Sequence, residues 1–483
     1  MSRGRYRKLF SDTVILAVGT FGSKLLVFLL MPLYTALLSP SQYGTAELIT
    51  GTANLIMPFA CVGITNGIFR FAAEKGTDRE GIFSSGVVLL GGGLTFTVLV
   101  GAVLFLSGTG YRGEVLLVVL YVLFADIQAV CAQYVRAIDR TRLFAVQGIL
   151  NTLLTIGCNL LFLMAFGLGV TGYVLSTIVG NFLTTLFLVV SARLWRVFRL
   201  SRVTRATMRE LFRFSLPMVP TTVCWLITDL SDRYLVSYFC GEAVNGIYSA
   251  AYKIPTIVNL VSGIFMQAWQ FSAVAQAKDG EACRRFYSQV FRGFLSVIFI
   301  GSAGLILFSR VLCRLLLNSA YYEAWRYMPT LLCAAALEAI VSFLASVYMV
   351  RKKSMHSFLT ALAGTGLNLL LNFLLIPRTG AFGGALGAAL ATLIGYGAVY
   401  LLRMADAPRL LPFRLYLPRQ AVSIALLLLA AGIMTAAPTW SVWACAGIFC
   451  AVTAVNLPAL ADGMKALLRK RSADPVSDPS GGS

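Results

Sequence analysis

Residues 328–353 read MPTLLCAAALEAIVSFLASVYMVRKK. Between Met328 and Val350 there is one charge, Glu338, and then Arg351, Lys352 and Lys353 follow at once. About 20 apolar residues in a row are what an α-helix needs to cross the hydrocarbon core of a bilayer. A helix suits that solvent because every backbone N–H and C=O in it is satisfied internally. A basic cluster at one end holds that end in the cytoplasm. This one stretch therefore sets the fold class, a spanning helix whose direction is fixed by charge.

The pattern recurs along the chain. We read about fourteen spans, from Ser11–Leu38 to Trp440–Leu457, with the second at Ala46–Phe69 and the eighth at Val244–Ala273. Alternate loops are basic: Arg3 to Lys8, Arg70 to Arg79, Arg136 to Arg142, Arg193 to Arg213, Lys278 to Arg292, Arg351 to Lys353, Arg403 to Arg419 and Lys465 to Arg471. About 32 basic residues fall on that side and about 5 on the other. The alternation holds to the end, so the number of spans is even and both termini are expected in the cytoplasm. Composition agrees. Hydrophobic residues make up 58% and charged residues 12%, against about 25% charged in a soluble domain. Arg3 to Lys8 precede an apolar run long enough to remain as a span, which argues against a cleaved signal.

Several function classes drop out. The formal charge of +20 lies in loops flanking spans, so no nucleic-acid partner is expected. Ten cysteines are scattered without a C-x-x-C pair, and His356 is the only histidine, which leaves no zinc ligand set. There is no P-loop, no dinucleotide fingerprint and no nucleophile elbow. No cofactor is expected. All outer loops are short, so a catalytic loop is not expected either, and the chain reads as no enzyme.

The expected architecture is all-α and polytopic, with about 14 transmembrane helices in two pseudo-symmetric six-helix lobes plus a C-terminal helix pair. Residues 1–195 form the N-lobe and 196–213 a basic cytoplasmic linker, whose arginines would make one drifting stripe on a helix lying on anionic headgroups. Residues 214–402 form the C-lobe, 403–420 a second linker, 421–460 the last two spans, and 461–483 a cytoplasmic tail, disordered at its end. The lobes carry similar turns. Tyr34, Ser39, Pro40, Tyr43 and Gly44 lead into span two; Tyr238, Cys240, Gly241, Asn245 and Gly246 lead into span eight. With an even number of spans in each lobe, the copies share one orientation and are expected to be related by a two-fold axis along the membrane normal.

Two runs carry a resemblance. The first is Gly22-Ser23-Lys24-Leu25-Leu26, then Pro32-Leu33-Tyr34-Thr35 and Ser39-Pro40-x-x-Tyr43-Gly44-Thr45. The second is Ser231-Asp232-Arg233-Tyr234-Leu235, then Gly246-Ile247-Tyr248-Ser249-Ala250-Ala251-Tyr252-Lys253-Ile254-Pro255. They resemble the bacterial oligosaccharide flippases (Wzx-like), in the superfamily, called MOP, that also holds MATE exporters and MurJ-like lipid II flippases. The resemblance covers about the first twelve spans. It implies a flippase in the bacterial cell membrane that turns an undecaprenyl-diphosphate-linked oligosaccharide from the cytoplasmic to the outer leaflet by alternating access. Membrane lipids, and other polysaccharide-export proteins such as a glycan polymerase, are the implied partners. Two extra spans are more like the MurJ-like plan, so a lipid II flippase is one alternative; a MATE-type drug or cation exporter is the other.

Charges within spans are costly and mark function by default. Lys24, Arg233 and Lys253 are the candidate diphosphate ligands, because fixed cations can replace the hydration that phosphate loses in a cavity. Asp126, Asp229, Asp232 and Glu338 are the candidates for a coupling proton or sodium ion. Asp229 and Arg233 stand one helical turn apart, so mutual neutralisation is the plainer reading of that pair. Glu47 is read as lying near an outer end. Asn159, Asn368 and Asn372 read as interhelical hydrogen bonders.

Overall fold

A computed structural model describes residues 30–472, apart from 75, 109–111, 217–218, 276–280, 352, 379 and 381–382. The described residues are helical, with no strand among them. Ten helices are long and apolar enough to cross a membrane, and a bent pair makes an eleventh if counted as one. The chain is a multi-pass membrane protein.

The helices run α1 (Met31–Leu37), α2 (Pro40–Ala60), α3 (Ile64–Ala72), α4 (Arg79–Leu106), α5 (Arg112–Ala137), α6 (Thr141–Asn159), α7 (Gly169–Ala192), α8 (Arg205–Ser215), α9 (Val219–Cys240) and α10 (Glu242–Lys253). There follow α11 (Thr256–Ala275), α12 (Glu281–Leu307), α13 (Ser309–Leu316), α14 (Met328–Val350), α15 (Ser354–Leu375), α16 (Gly384–Leu410), α17 (Leu417–Ala436) and α18 (Ser441–Ser472).

Spans two and eight depart from simple continuous helices and span seven from plain apolarity, each for a physical reason. Span two is bent by 53° between α2 and α3. Pro58 removes a backbone donor from the last turn of α2, and Val62 and Gly63 then take left-handed φ of 48° and 66°. Span seven, α9, carries Asp229, Asp232 and Arg233 and so fails a test of apolarity alone. Span eight stops at Lys253 and restarts at Thr256, because Pro255 cannot continue the ladder. The start of span one lies outside the described residues. So does the end of the tail.

The basic linker is not one helical stripe. Arg193 turns left-handed at φ 53°, Leu194–Val197 make a single helical turn, Phe198 and Arg199 are extended, and a longer helix resumes only at α8. Thr204 caps α8, accepting from the Thr207 N–H at 3.2 Å. Arg202 leaves the stripe to meet Asp78 at 3.3 Å, and Arg199 and Arg202 each come within 3.9 Å of Glu80.

The chain packs as two compact units. Unit one comprises residues up to Lys253 together with Leu312–Ala324 and Ser357–Gly395. Its core is an apolar cluster around Ile64, Ile68, Val122, Val135 and Leu188. Unit two comprises Ile254–Val311, Trp325–His356 and the residues from Tyr396 on. At its centre α14 is buried along most of its length, as an Ala-rich helix can be. Trp269, Tyr287, Phe291 and Phe294 pack in an aromatic cluster with its Phe343, Trp269 and Phe343 stacked at 5.1 Å. Arg403 is fully buried there and donates to the Val341 carbonyl at 2.9 Å, and Arg419 ties α17 to α18 through Asn456 at 2.7 Å.

Candidate functional site

The site in unit one begins with how α2 starts. Ser39 and Gln42 form a capping box, with Gln42 N–H donating to the Ser39 hydroxyl at 3.2 Å and Ser39 N–H donating to the Gln42 amide at 3.0 Å. Pro40 sits at the first turn, where its missing donor costs nothing. That fixed start places Glu47 two turns into the helix, where it is 3% exposed. Its carboxylate meets Lys253 Nζ at 2.9 Å and Arg233 Nη1 at 3.1 Å, and accepts the Tyr173 hydroxyl at 3.0 Å. Helices α2, α7, α9 and α10 thus converge on one carboxylate.

These residues line a cavity of about 340 Å³ whose walls also include Thr50, Asn54, Tyr121 and Asp229. Arg233 pairs with Glu47 and not with its helical neighbour Asp229. Asp229 accepts instead from the Tyr252 hydroxyl at 3.2 Å, while the guanidinium of Arg233 lies 5.6 Å from the Tyr252 ring centre. A buried carboxylate with two cations and a phenol is a fully compensated group. Removing one cation would leave the other charges mismatched inside the protein.

At one end of the cavity helices, α2 meets α10 backbone to backbone. A Cβ at Gly44 would run into the Glu242 carbonyl, and one at Gly246 into the Pro40 carbonyl. Asn245 donates to the Gly44 carbonyl at 3.2 Å, and Ser41 and Thr45 both donate to the Glu242 carboxylate at 3.0 Å. The two similar turns of the sequence therefore lie against each other.

A second carboxylate faces the other way from α9. Asp232, 1% exposed, accepts from Tyr248 at 2.9 Å, Asn368 at 3.3 Å, Asn372 at 2.6 Å and the Thr392 hydroxyl. Every one of these donors is neutral. Among the described residues, no cation pairs with it.

The remaining candidates are dispersed. Asp126 on α5 is buried at the bend of span two, hydrogen-bonded to the Cys61 thiol, and its Oδ2 has no hydrogen-bond partner among the described residues. Glu338, in unit two, accepts from Asn259 at 2.8 Å. Lys24 lies outside the described residues. So Arg233, Lys253 and Asp229 share a cavity, Asp232 adjoins it, and Asp126 and Glu338 do not line it. Sequence reasoning missed Glu47 as the partner of both cations. The signal available was Ser39-Pro40, which marks a helix start and puts Glu47 about two turns inside.

Residues 9–270, more than half of the chain, match the family model described as polysaccharide biosynthesis protein. The chain belongs to that family. No curated protein matches it. Among solved structures, this family member is similar to the lipid II flippase MurJ in an inward closed conformation, at 14% identity and a TM-score of 0.68, covering 95% of this chain and 99% of that one. It is also similar to an outward-facing multidrug resistance MATE family transporter of the MOP superfamily, at 15% identity and a TM-score of 0.59, covering 83% of this chain and 96% of that one. A MOP superfamily transporter from Pyrococcus furiosus, whose binding pocket is described as having reverse polarity, gives 14% identity, a TM-score of 0.58 and the same coverage. At these identities the likeness is one of fold. This member of the polysaccharide biosynthesis family has the MOP-superfamily fold.

Proposed function

We propose that the protein is a flippase for an undecaprenyl-diphosphate-linked oligosaccharide, working by alternating access in a bacterial cytoplasmic membrane with both termini inside. The supporting observation is the pair of fixed cations, Arg233 and Lys253, brought from separate helices to one polar cavity. The diphosphate is the part of the substrate that lipid will not tolerate. An arginine can hold two phosphate oxygens at once, and a lysine adds a point charge. Lys24 belongs to the same clamp in this reading. The two-lobe layout with a C-terminal helix pair, and polysaccharide-export proteins such as a glycan polymerase as partners, are part of the proposal. Asp232, enclosed by neutral donors, is the favoured holder of a coupling proton or sodium ion, with Asp126, Asp229 and Glu338 as the others.

A lipid II flippase is the second reading, favoured by the coverage of 99% of the MurJ chain. A MATE-type exporter of cationic drugs suits the cavity less well, because, among the described residues, its carboxylates are already matched by Arg233 and Lys253 and leave no net negative charge to hold a cation.

The test is export of the glycan by cells carrying Lys24→Ala, Arg233→Ala or Lys253→Ala, with the amount of inserted protein measured alongside. Loss of export at normal protein level is expected. Normal export by well-expressed Lys24→Ala and Lys253→Ala proteins eliminates the clamp.

A further inference from the structure

Among the described residues, the charges lining the cavity cancel. Among its described lining residues, Arg233 and Lys253 are matched by Glu47 and Asp229. A disubstituted diphosphate brings two negative charges and no proton that titrates near neutrality. It would enter a cavity whose cations are already engaged, since both oxygens of Glu47 are occupied by Lys253, Arg233 and Tyr173. If the cations turned to the phosphate, Glu47 would remain as a buried carboxylate without its counter-ions, beside a new dianion. That arrangement is strongly disfavoured in a low-dielectric site.

From this geometry we infer that Glu47 is the counter-ion that the substrate displaces, and that the diphosphate enters the cavity together with a proton taken up by Glu47. The inference rests on the flippase reading. In the exchange, Arg233 and Lys253 release the carboxylate and bind phosphate oxygens. The carboxylate accepts one proton from the aqueous phase, and its neutral form keeps the hydrogen bond to Tyr173. Among the described residues, the groups facing Glu47 are Tyr43 from its own helix, Tyr34 from α1, Tyr121 from α5, Tyr173 from α7, Arg233 from α9 and Lys253 from α10. The phenols stay protonated at neutral pH. Asp229 keeps its own donor, Tyr252, whatever Arg233 does. Glu47 is therefore the group that loses its partners, and the proton goes there. It acts as a positioning residue through the two cations.

The experiment is calorimetric titration of the purified full-length protein with a short-chain prenyl diphospho-sugar, repeated in buffers of different ionisation enthalpy and at several pH values. Uptake of about one proton per probe bound is expected at the steepest point, where affinity falls about tenfold per pH unit of rise. The count uses the unmodified protein, so it needs no variant to fold. Glu47→Gln is expected to bind without proton uptake and with affinity independent of pH. Saturable binding with no proton uptake in the unmodified protein overturns the exchange and leaves the flippase reading standing. Uptake that persists in Glu47→Gln overturns the assignment to Glu47. Absence of saturable binding, or binding that Arg233→Ala leaves unchanged, overturns the flippase reading and the exchange with it.

Discussion

Two buried carboxylates in unit one keep opposite company. Glu47 is surrounded by Arg233, Lys253 and Tyr173, and lines a cavity. Asp232, on the same helix as Arg233, meets two amides, a phenol and a hydroxyl, and does not line it. The difference separates two ways of keeping an acid inside a membrane protein. Opposite charges hold the first, and so anything anionic that enters must compete for them. Neutral dipoles hold the second, and they leave its own charge to be balanced by a proton or a small cation. On the flippase reading, the first cluster answers the substrate and the second the ion.

The comparison breaks most readily at Arg233. Arg233→Ala removes one counter-ion and leaves Glu47 and Asp229 in excess, so about 3–5 kcal/mol of stability should go with export. Thermal unfolding in detergent reads the first and glycan export the second. Lys253 is 29% exposed in its side chain, so water can replace it in part. Lys253→Ala should cost less stability than Arg233→Ala while still reducing export tenfold or more, about 1.4 kcal/mol in binding terms. Equal stability losses for the two variants would mean that their difference in burial counts for nothing.

Asp232 provides the sharper contrast. If its cluster answers the ion, then the thermal stability of the purified protein changes with sodium concentration or with pH, and Asp232→Asn abolishes that dependence without disturbing binding of a diphosphate probe. A variant that keeps the full dependence would remove Asp232 from the coupling role. The smallest effect expected is that of Thr392→Val, which deletes one of the four donors. It should cost about 1 kcal/mol of stability and shift the ion dependence without abolishing it.

How much of this could be read in advance depends on how far apart the deciding residues lie. The span that opens at Met328 was legible from residues 328–353 alone, because hydropathy and the basic end are local properties, and α14 occupies Met328–Val350. The bend after Pro58 and the break at Pro255 were less so. Both prolines sit in apolar runs, and a count of apolar residues is blind to backbone angles. The cations of the cavity were legible as misfits within spans. Their partner was not. Glu47 is 186 residues from Arg233 and 206 from Lys253, and nothing local says which distant charge will arrive. For the same reason Asn368 and Asn372 were read as hydrogen bonders between helices without their acceptor, Asp232, which is 136 and 140 residues away.

The meeting of Gly44 with Gly246 has a consequence of its own. The seam there is made of main chain, one asparagine and the hydroxyls around Glu242. The hydrogen bonds it holds are ones that water can take over. On the flippase reading, the selection of cargo falls to the cavity walls, and a change of diet need not rewrite this seam.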